Sequence, residues 1–598
     1  MQLQPATTAG RPGTDGEVRV VATRSGSATV ELRGLALASR IDPDAEARSL
    51  ATGLAPTTEW IWLGGWGSGH LARAVLDRCP RAELLVFEPS PEVLATARSH
   101  PLLGRGLGDP RVTVSTDPFE LRFAFEARFL PGASLATLIV PPYGKLFARE
   151  LRDLGATLNQ SRARVEANVL SRLALSGVWL DHLLSNLPQV ATQPSLSDLA
   201  DRFRGKPAIC VAAGPSLDRN IDVLREAGDR ALVIAAGSAL KPLRARGIRP
   251  HMTVAIEWRD SVLQQFGDVS LDGIHLLLSA VCHPRLFGLG SARTWIELPG
   301  SSPASTWVGE TLNIPHEFSE GGSVAHTVYS TAWLLGCDPI VLVGQDLALG
   351  PAGRTHSALS VHGHIHAPPA DANRDPASER PRYVLPGYHG GEVETLREFY
   401  CYHAWFEDRF RTDAAQRTIV NATEGGARIR GTVQRPLAEV VAEMASGLDA
   451  DAILAAVPAP DASTRARTLA AGLRGSRSSI REAGTLASDA LAVIDSTEKV
   501  LRRDPTQVGR LLERLDRLER DLAPLLDSDP FIRSLTAPAV YRTSRARAEG
   551  PPPGSEEALG WSLEQSRLLH RAVRDAARTL LPRLEQVISA LEPEASAQ

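Results

Sequence analysis

The stretch Lys206-Pro-Ala-Ile-Cys-Val-Ala-Ala-Gly-Pro-Ser-Leu-Asp218 decides the fold. Residues 208–213 are an unbroken run of small and apolar residues, typical of a strand buried on both faces of a parallel sheet. Gly214-Pro215-Ser216 ends this run, and apolar residues at helical spacing follow over 217–227. A strand, a glycine turn and a helix start present free backbone N–H groups to which a phosphate can bind. The alternative is a structural turn in which the Ser216 hydroxyl caps the helix.

Apolar runs at 231–235, 252–256 and 339–343 predict three further strands. Small, polar or charged residues follow these strands: Gly237, Ser238, Glu257, Gln345 and Asp346. Gly322 and Ser323 precede another predicted helix. Because the carboxyl ends of parallel strands meet at one edge of a sheet, we expect these residues to line a nucleotide-binding crevice.

Four segments of the chain resemble one bacterial protein family, the motility accessory factors or Maf proteins. They are Ala212–Asp218, Gly321–His326, Leu335–Leu347 and Asn421–Thr432. Members of that family are implicated in attaching nonulosonic (sialic-like) acids to flagellin. The resemblance covers most of the chain and implies an inverting flagellin glycosyltransferase. It would transfer a pseudaminic- or legionaminic-type acid from a CMP-activated donor to serine or threonine.

The central block is also similar, more distantly, to bacterial sialyltransferases, which share the Gly-Pro-Ser-Leu turn. That similarity implies a reaction that needs no metal. It assigns Gly214, Pro215 and Ser216 to the nucleotide phosphate, and Ser238 and Glu257 to the base and ribose pocket. Gly322 and Ser323 would lie near the carboxylate of the sugar. We add Gly237, Gln345 and Asp346 to the predicted donor site, with Asp346 either holding a donor hydroxyl or anchoring a loop.

The sialyltransferase similarity also implies a histidine general base, for which an imidazole is suited near neutral pH. The candidates are His356 and His389, each of which has an alternative reading as an exposed loop residue. The sequence departs from the sialyltransferase pattern at two places. Ala213 replaces an asparagine, and residues 345–348 lack a tyrosine that contacts phosphate in those enzymes.

The composition fits a multidomain α/β protein. A chain of 598 residues predicts several domains, and a net charge of −4 argues against nonspecific nucleic-acid binding. The sequence has neither a signal pattern nor an apolar run of membrane length, so we expect a cytoplasmic protein without membrane contacts. The predicted domains are a hairpin with a Rossmann-like domain (1–150), a helical linker (151–200), a central glycosyltransferase-like α/β domain (201–435) and a helical bundle (436–598).

The N-terminal domain contains its own glycine-rich loop. Gly64-Gly-Trp-Gly-Ser-Gly69 follows a predicted strand, and Glu88 ends the next strand. Rossmann domains hold a nucleotide with such a loop and acidic residue, and methyltransferases look similar here. In a Maf-like protein we favour a non-catalytic scaffold, with ligand binding at Gly65, Gly67 and Glu88 as a secondary hypothesis.

Two regions have more than one reading. The histidine-rich segment 349–386 is either a lid over the crevice, an exposed loop or a metal site, but His362-Gly-His364-Ile-His366 lacks a fourth ligand at a suitable spacing. We therefore predict no metal and no required cofactor. The C-terminal bundle either binds a protein surface, forms homo-oligomers or simply packs.

Three functions compete. The first is the flagellin glycosyltransferase, whose partners would be flagellin and the nucleotide-sugar donor. The second is an ATP-dependent diphosphokinase of the pterin pathway, which the central domain also resembles. The third is a non-catalytic flagellin-binding assembly factor.

Overall fold

The computed structural model describes residues 18–315, 321–366, 382–503, 508–551, 555 and 557–592. The chain divides into two compact units, Met1–Leu173 and Ala174–Gln598, and the boundary falls inside a single long helix, Ala148–Thr192. Among the described residues, no helix combines the length and the apolar character that a membrane crossing requires.

The first unit contains two sheets. Its strands are β1 (Val18–Ala22), β2 (Ala28–Leu32), β3 (Leu35–Ala36), β4 (Trp60–Gly64), β5 (Glu83–Phe87), β6 (Val112–Ser115) and β7 (Leu135–Ile139). Its helices are α1 (Pro43–Ala51), α2 (His70–Arg78), α3 (Pro91–Ser99), α4 (Pro118–Arg128), α5 (Tyr143–Leu146) and the start of α6 (Ala148–Thr192). The first three strands form the predicted antiparallel hairpin with one added strand, and the other four form a parallel sheet in the order β6-β5-β4-β7. That order is half of a Rossmann fold.

The second unit is built on an eight-stranded sheet. Its strands are β8 (Ala208–Val211), β9 (Leu232–Ala236), β10 (Met252–Ala255), β11 (His275–Ser279), β12 (Arg293–Glu297), β13 (Ile340–Val343), and, after the hairpin β14 (Arg382–Pro386) and β15 (Glu392–Leu396), β16 (Ile419–Asn421) and β17 (Val433–Gln434). The order is β12-β11-β10-β9-β8-β13-β16-β17, and all neighbours are parallel. The sheet grows in opposite directions from β8 and from β13, so its topological switch point lies between them.

Helices cover both faces of this sheet. They are α7 (Leu217–Asn220), α8 (Gly237–Ala245), α9 (Leu263–Phe266), α10 (Pro303–Leu312), α11 (Val324–Leu334), α12 (Arg397–Asp413) and α13 (Leu437–Glu443). One core joins strand residues such as Cys210 to α11 and α12, and a second joins Val211 to the turns after β8 and to α13. The central strands are buried on both faces, as their unbroken apolar runs predict.

The C-terminal region is helical, as predicted. It consists of α14 (Ala450–Ala455), α15 (Ala462–Leu501), α16 (Gly509–Ser528), α17 (Pro530–Glu549) and α18 (Ala558–Leu591). Its apolar faces share one hydrophobic core with the end of α6, with the segments after β11 and β12, and with α10. Small residues allow close packing here, since a Cβ on Gly472 of α15 would lie 2.6 Å from the Trp307 ring. The bundle and the sheet are therefore parts of one compact unit.

Some predicted elements were wrong in extent. Aromatic residues at 3- and 4-residue steps predict one amphipathic helix over 393–410, but residues 392–396 form β15, and α12 begins only at Arg397. The alternation of Val393 and Thr395 suits a strand paired with β14, and Thr395 Oγ1 donates to the Leu347 carbonyl at 2.7 Å. The helix expected over 217–227 is a short α-helix followed by a 3₁₀ turn.

Candidate functional site

The carboxyl ends of five parallel strands meet at the switch point of the large sheet. The turns that follow them are 214–216 after β8, 237–238 after β9, 256–258 after β10, 344–346 after β13 and 422–426 after β16. In open α/β sheets, ligands bind in the crevice at such a point. The predicted donor-site residues on these turns therefore share one edge.

Asp346 occupies the turn that was predicted to bind phosphate. Its carboxylate accepts the Ser216 N–H, with the nitrogen 3.1 Å from Oδ1, and the Ser216 hydroxyl, with Oγ 2.6 Å from Oδ2. Both side chains are buried. Burial raises the pKa of Asp346 to about 6, against the lowering effect of the Ser216 hydrogen bonds. The turn thus already holds a carboxylate, so phosphate binding at Ser216 remains a prediction that requires this carboxylate to be displaced.

Two glycines make room for this arrangement. A Cβ on Gly214 would lie 2.0 Å from Asp346 Oδ2 and 2.5 Å from the Gly344 carbonyl oxygen. Gly426 has a φ of +67°, and a Cβ there would lie 2.2 Å from the Asp346 carbonyl oxygen. Glycine at these positions follows from the close approach of the backbone to Asp346.

The loop after β13 is fastened to the start of α7 by Asp218. The Asp218 carboxylate accepts the Ser357 hydroxyl at 2.5 Å and the Ala358 N–H at 3.1 Å, and it pairs with Arg354 at 3.2 Å. In addition, the Ser357 N–H donates to the Ala213 carbonyl at 2.7 Å. These bonds hold residues 350–366 of the histidine-rich segment against the Gly214 turn. The alternative of a freely exposed loop does not fit these contacts.

His356 and His362 are neighbouring titratable side chains within this loop. The His356 and His362 rings are 5.1 Å apart, and Thr355 Oγ1 lies 2.9 Å from His356 Nδ1. Burial and the adjacent His362 lower the pKa of His356 to about 4. Burial and His364 also lower the pKa of His362, whereas the charge of Glu257 raises it. The charge of Glu257 therefore acts on His362 of the loop.

Glu257 is held rigidly at the end of β10. Its Oε1 accepts the N–H of Trp258 at 3.0 Å and of Arg259 at 3.3 Å, and its Oε2 lies 3.6 Å from the Arg259 guanidinium. The charge of Glu257 also contributes to a raised pKa of Tyr402 on α12, after the larger effects of burial and Glu398. The charge of Glu257 therefore acts on a residue of α12 as well as on the loop.

The second predicted base, His389, lies in a different setting. It is exposed, and its Nε2 lies 3.1 Å from the Glu424 carbonyl oxygen. The turn that contains Glu424 packs on α7, since a Cβ on Gly425 would lie 2.4 Å from an Arg219 nitrogen and 3.0 Å from the Ser216 Cβ. His389 is thus bonded to a turn that itself packs against Ser216 and Arg219.

The remaining residues of the predicted donor site differ in whether their polar groups are free to bind a ligand. Neither the Ser238 hydroxyl nor the Gln345 side-chain amide has a hydrogen-bond partner within the described ranges. Ser238 is half-buried, and Gln345 is only 7 % exposed. Gly237 packs closely, because a Cβ there would lie 2.4 Å from Gln265 Oε1. Ser323 caps α11 by accepting the Ala325 N–H, and Gly322 is exposed with a φ of +78°. Ser238 and Gln345 are thus free to bind a ligand.

Sequence reasoning missed the role of Asp218. Asp218 lies within the quoted motif, but an acidic residue in the first turn of a helix is common and signals no loop contact by itself. His362 was considered only as a metal ligand. In the part of the chain that the structure describes, no group of three or more His, Cys, Asp or Glu side chains is arranged to hold a metal ion.

The glycine loop of the first unit is also occupied by a carboxylate of the chain. Glu88 Oε2 accepts the N–H groups of Trp66 at 2.9 Å and Gly67 at 3.2 Å, and it accepts the Tyr143 hydroxyl at 2.6 Å. A Cβ on Gly65 would lie 2.7 Å from the Tyr143 ring. Burial raises the pKa of Glu88 despite these bonds. The geometry favours the scaffold reading of this unit, because the groups that would bind a nucleotide already bind Glu88.

Comparisons with known proteins agree with this architecture. Residues 181–351 match the family model described as 6-hydroxymethylpterin diphosphokinase MptE-like. No curated protein sequence matches the chain significantly. A solved structure of a Maf glycosyltransferase from Magnetospirillum magneticum AMB-1 is similar over 97 % of this chain and 95 % of that one, with 17 % identity and a TM-score of 0.59. The predicted α/β fold class is confirmed, and the chain is Maf-like in its fold.

Proposed function

We propose that the chain is a glycosyltransferase that transfers a nonulosonic acid from a CMP-activated donor to serine or threonine of flagellin. The observation that carries this proposal is the likeness to a Maf glycosyltransferase over 97 % of the chain. That likeness includes both flanking regions and is not limited to the central sheet, so it favours a whole-chain function over that of one shared domain.

The donor would bind at the switch point. Its phosphate would replace the Asp346 carboxylate at the Ser216 N–H, after Asp346 is protonated or withdraws from the turn. The open Ser238 hydroxyl and Gln345 amide would hydrogen-bond the ribose and the sugar. In this scheme the backbone N–H groups and helix ends supply the positive potential, and the reaction requires no metal or other cofactor.

A histidine of the loop would accept the proton of the acceptor hydroxyl. Of the two predicted bases, the surroundings favour His356, because Ser357 beside it is bonded directly to the Gly214 turn. Its lowered pKa keeps the imidazole neutral at neutral pH, which is the form that accepts a proton. His389 is bound to the Glu424 carbonyl, and its ring is exposed.

The test is intact-mass analysis of flagellin that is co-expressed with this chain and a nonulosonic acid pathway. We expect flagellin to gain whole sugar residues, and we expect the gain to disappear with Ser216→Ala while flagellin still co-purifies. Unmodified flagellin that co-purifies with the wild-type chain would instead favour a non-catalytic flagellin-binding factor.

A diphosphokinase is the second candidate, because the family model matched at 181–351 carries that description. It would move a diphosphate from ATP to the hydroxyl of 6-hydroxymethylpterin and release AMP. Incubation with ATP, Mg²⁺ and that pterin would yield AMP in this case, whereas a glycosyltransferase would leave the ATP intact.

A further inference from the structure

The guanidinium of Arg219 lies beside the Ser216 turn. A Cβ on Gly425 would lie 2.4 Å from Arg219 Nη2 and 3.0 Å from Ser216 Cβ, so the guanidinium and Ser216 flank the same glycine. Within the described ranges, Arg219 donates a single hydrogen bond, to the Glu424 carbonyl, and no carboxylate lies within ion-pair distance of it. A guanidinium has five N–H donors, so those of Arg219 are largely open to a ligand.

The side chain of Glu424 does not neutralise Arg219. Its Oε1 accepts Asn220 Nδ2 at 3.1 Å and the Leu437 N–H at 3.0 Å. The Glu424 carbonyl oxygen, which accepts from Arg219, also lies 3.1 Å from His389 Nε2. This carbonyl would therefore keep a donor when the guanidinium turns to a ligand, and the movement would leave no backbone acceptor unpaired.

The turn 424–426 adds backbone donors next to the guanidinium. Gly425 is buried, and neither its N–H nor that of Gly426 has an acceptor among the residues that the structure describes. Glu424 and Gly426 have left-handed φ values of +57° and +67°. Turns that present successive N–H groups bind anions, and a buried N–H is nearly always paired. The turn is therefore suited to an oxyanion.

The chemistry of the proposed donor requires a second oxyanion site beside the first. In a nonulosonic acid donor, the anomeric carbon bears both the carboxylate and the oxygen that links the sugar to the phosphate. The carboxylate must therefore lie close to the phosphate. If the phosphate occupies the Ser216 turn, as proposed, the carboxylate comes within reach of the donors that flank this turn.

We infer that Arg219 and the turn 424–426 bind the carboxylate of the sugar and thereby select nonulosonic acids over neutral sugars. This inference rests on the proposed function. Two parallel N–H groups of a guanidinium match the two oxygens of a carboxylate. A neutral sugar would leave the charge of Arg219 without a partner and would bind more weakly.

This assignment differs from the one that the sialyltransferase similarity implies. That similarity places Gly322 and Ser323 near the carboxylate, but neither residue carries a positive charge. The Ser323 hydroxyl also already accepts the Ala325 N–H at 3.3 Å. Arg219 supplies the charge that the other assignment lacks.

The test measures the binding of two ligands to the full chain by isothermal titration calorimetry. CMP carries only the phosphate, whereas a fluorinated, hydrolysis-resistant analogue of CMP-N-acetylneuraminic acid also carries the carboxylate. We expect Arg219→Gln to raise the Kd of the analogue by about 10- to 100-fold and the Kd of CMP by no more than about threefold. Arg219→Lys keeps the charge but not the planar fork, so its Kd for the analogue should lie between those of the wild type and Arg219→Gln.

Arg225→Gln is the matched control. Arg225 is an exposed arginine on the 3₁₀ turn that follows α7, and it pairs with Asp222 at 3.1 Å. This variant should bind both ligands as the wild type does. Equal thermal unfolding midpoints of all variants would verify that they fold.

The two ligands separate a role in binding the carboxylate from a role in binding the phosphate. An equal loss of affinity for both ligands in Arg219→Gln would overturn the inference, because the arginine would then serve the phosphate. Unchanged affinity for both, or a wild-type chain that binds the analogue no more tightly than CMP, would also overturn it, while sugar transfer to flagellin would still stand on its own mass-analysis test. A wild-type chain that binds neither ligand would overturn the proposed donor site together with the inference.

Discussion

The buried carboxylate of Asp346 is the residue on which donor binding depends. It accepts both polar hydrogens of Ser216 and has no direct cationic partner in the described ranges, with Arg219 acting on it only through its charge. A donor phosphate at this turn would meet a negative charge in a low-dielectric setting. Asp346 therefore sets the affinity of the turn for anions.

Asp346→Asn should strengthen nucleotide binding. The amide keeps the shape of the side chain and removes its charge, so we expect the Kd for cytidine monophosphate at pH 7.5 to fall by about tenfold. Isothermal titration calorimetry measures this directly. Asp222→Asn, at an exposed surface pair with Arg246, is the matched control and should leave the Kd unchanged. Weaker binding by Asp346→Asn would mean that the carboxylate assists the ligand.

The same residue predicts a pH dependence of stability. The folded-state pKa of Asp346, about 6, lies above its ordinary value of 3.8, so the folded chain holds this proton more tightly than the unfolded chain does. Its contribution to stability is present below about pH 4 and is lost as the pH rises through about 6. Relative to the wild type, Asp346→Asn should therefore gain on the order of 2 kcal/mol between pH 4 and pH 7.5. Thermal unfolding at both pH values tests this, and an equal difference at both would contradict it.

Gly214→Ala should damage the turn. The added Cβ would meet the Asp346 carboxylate and the Gly344 backbone, neither of which can move freely. We expect a loss of about 1–3 kcal/mol in unfolding free energy, measured by circular dichroism. Gly228→Ala is the control, because a Cβ there has no atom within 4 Å and its φ is −61°. Equal effects at the two sites would show that the turn tolerates a side chain.

At the scale of elements, the loop over the crevice depends on one side chain. Asp218→Ala removes the acceptor for Ser357 and Ala358 and the partner of Arg354. We expect trypsin to cleave after Arg354 several-fold faster, because the released loop reaches the protease in an extended form. Asp222→Ala, in the 3₁₀ turn that follows α7, is the control, and this variant should be cleaved at the wild-type rate. Unchanged cleavage in Asp218→Ala would mean that the Ser357 N–H bond to Ala213 is sufficient.

The sequence predicted the strands that consist of uninterrupted apolar residues and missed those with polar ends. β8, β9, β10 and β13 were located to within two residues, since each lies in the middle of the sheet. β12 was missed because Arg293 and Glu297 flank its apolar centre, and only the fold reveals that Arg293 stacks on the Trp295 ring at 4.9 Å. A local sequence pattern does not reveal that a charged strand residue is accommodated by contacts made in the folded chain.

For the candidate site as well, the sequence predicted local features and missed long-range contacts. The glycine turns were visible in the sequence because a chain reversal after a buried strand demands them. That Asp346 turns back onto Ser216, 130 positions away in the sequence, was not visible, since no local pattern distinguishes a carboxylate that binds a ligand from one that replaces it. The effect of the Glu257 charge on the pKa of His362 likewise depends on tertiary structure alone.

For the whole molecule, the shared core implies that the helical bundle and the sheet of the second unit unfold together. Phe531 of α17 is fully buried and meets the Trp307 ring of α10 at 5.0 Å, so it lies where the two parts join. Phe531→Ala should reduce stability by about 3–5 kcal/mol. Because one core serves both parts, the loss of helical signal and the loss of nucleotide binding should shift to lower temperature by the same amount. Val540→Ala, at an exposed position of the same helix, should shift neither. If Phe531→Ala instead caused the helices to unfold in a separate early transition while nucleotide binding persisted, that result would show that the bundle is an independent domain. A role in binding flagellin could then be tested on the bundle alone.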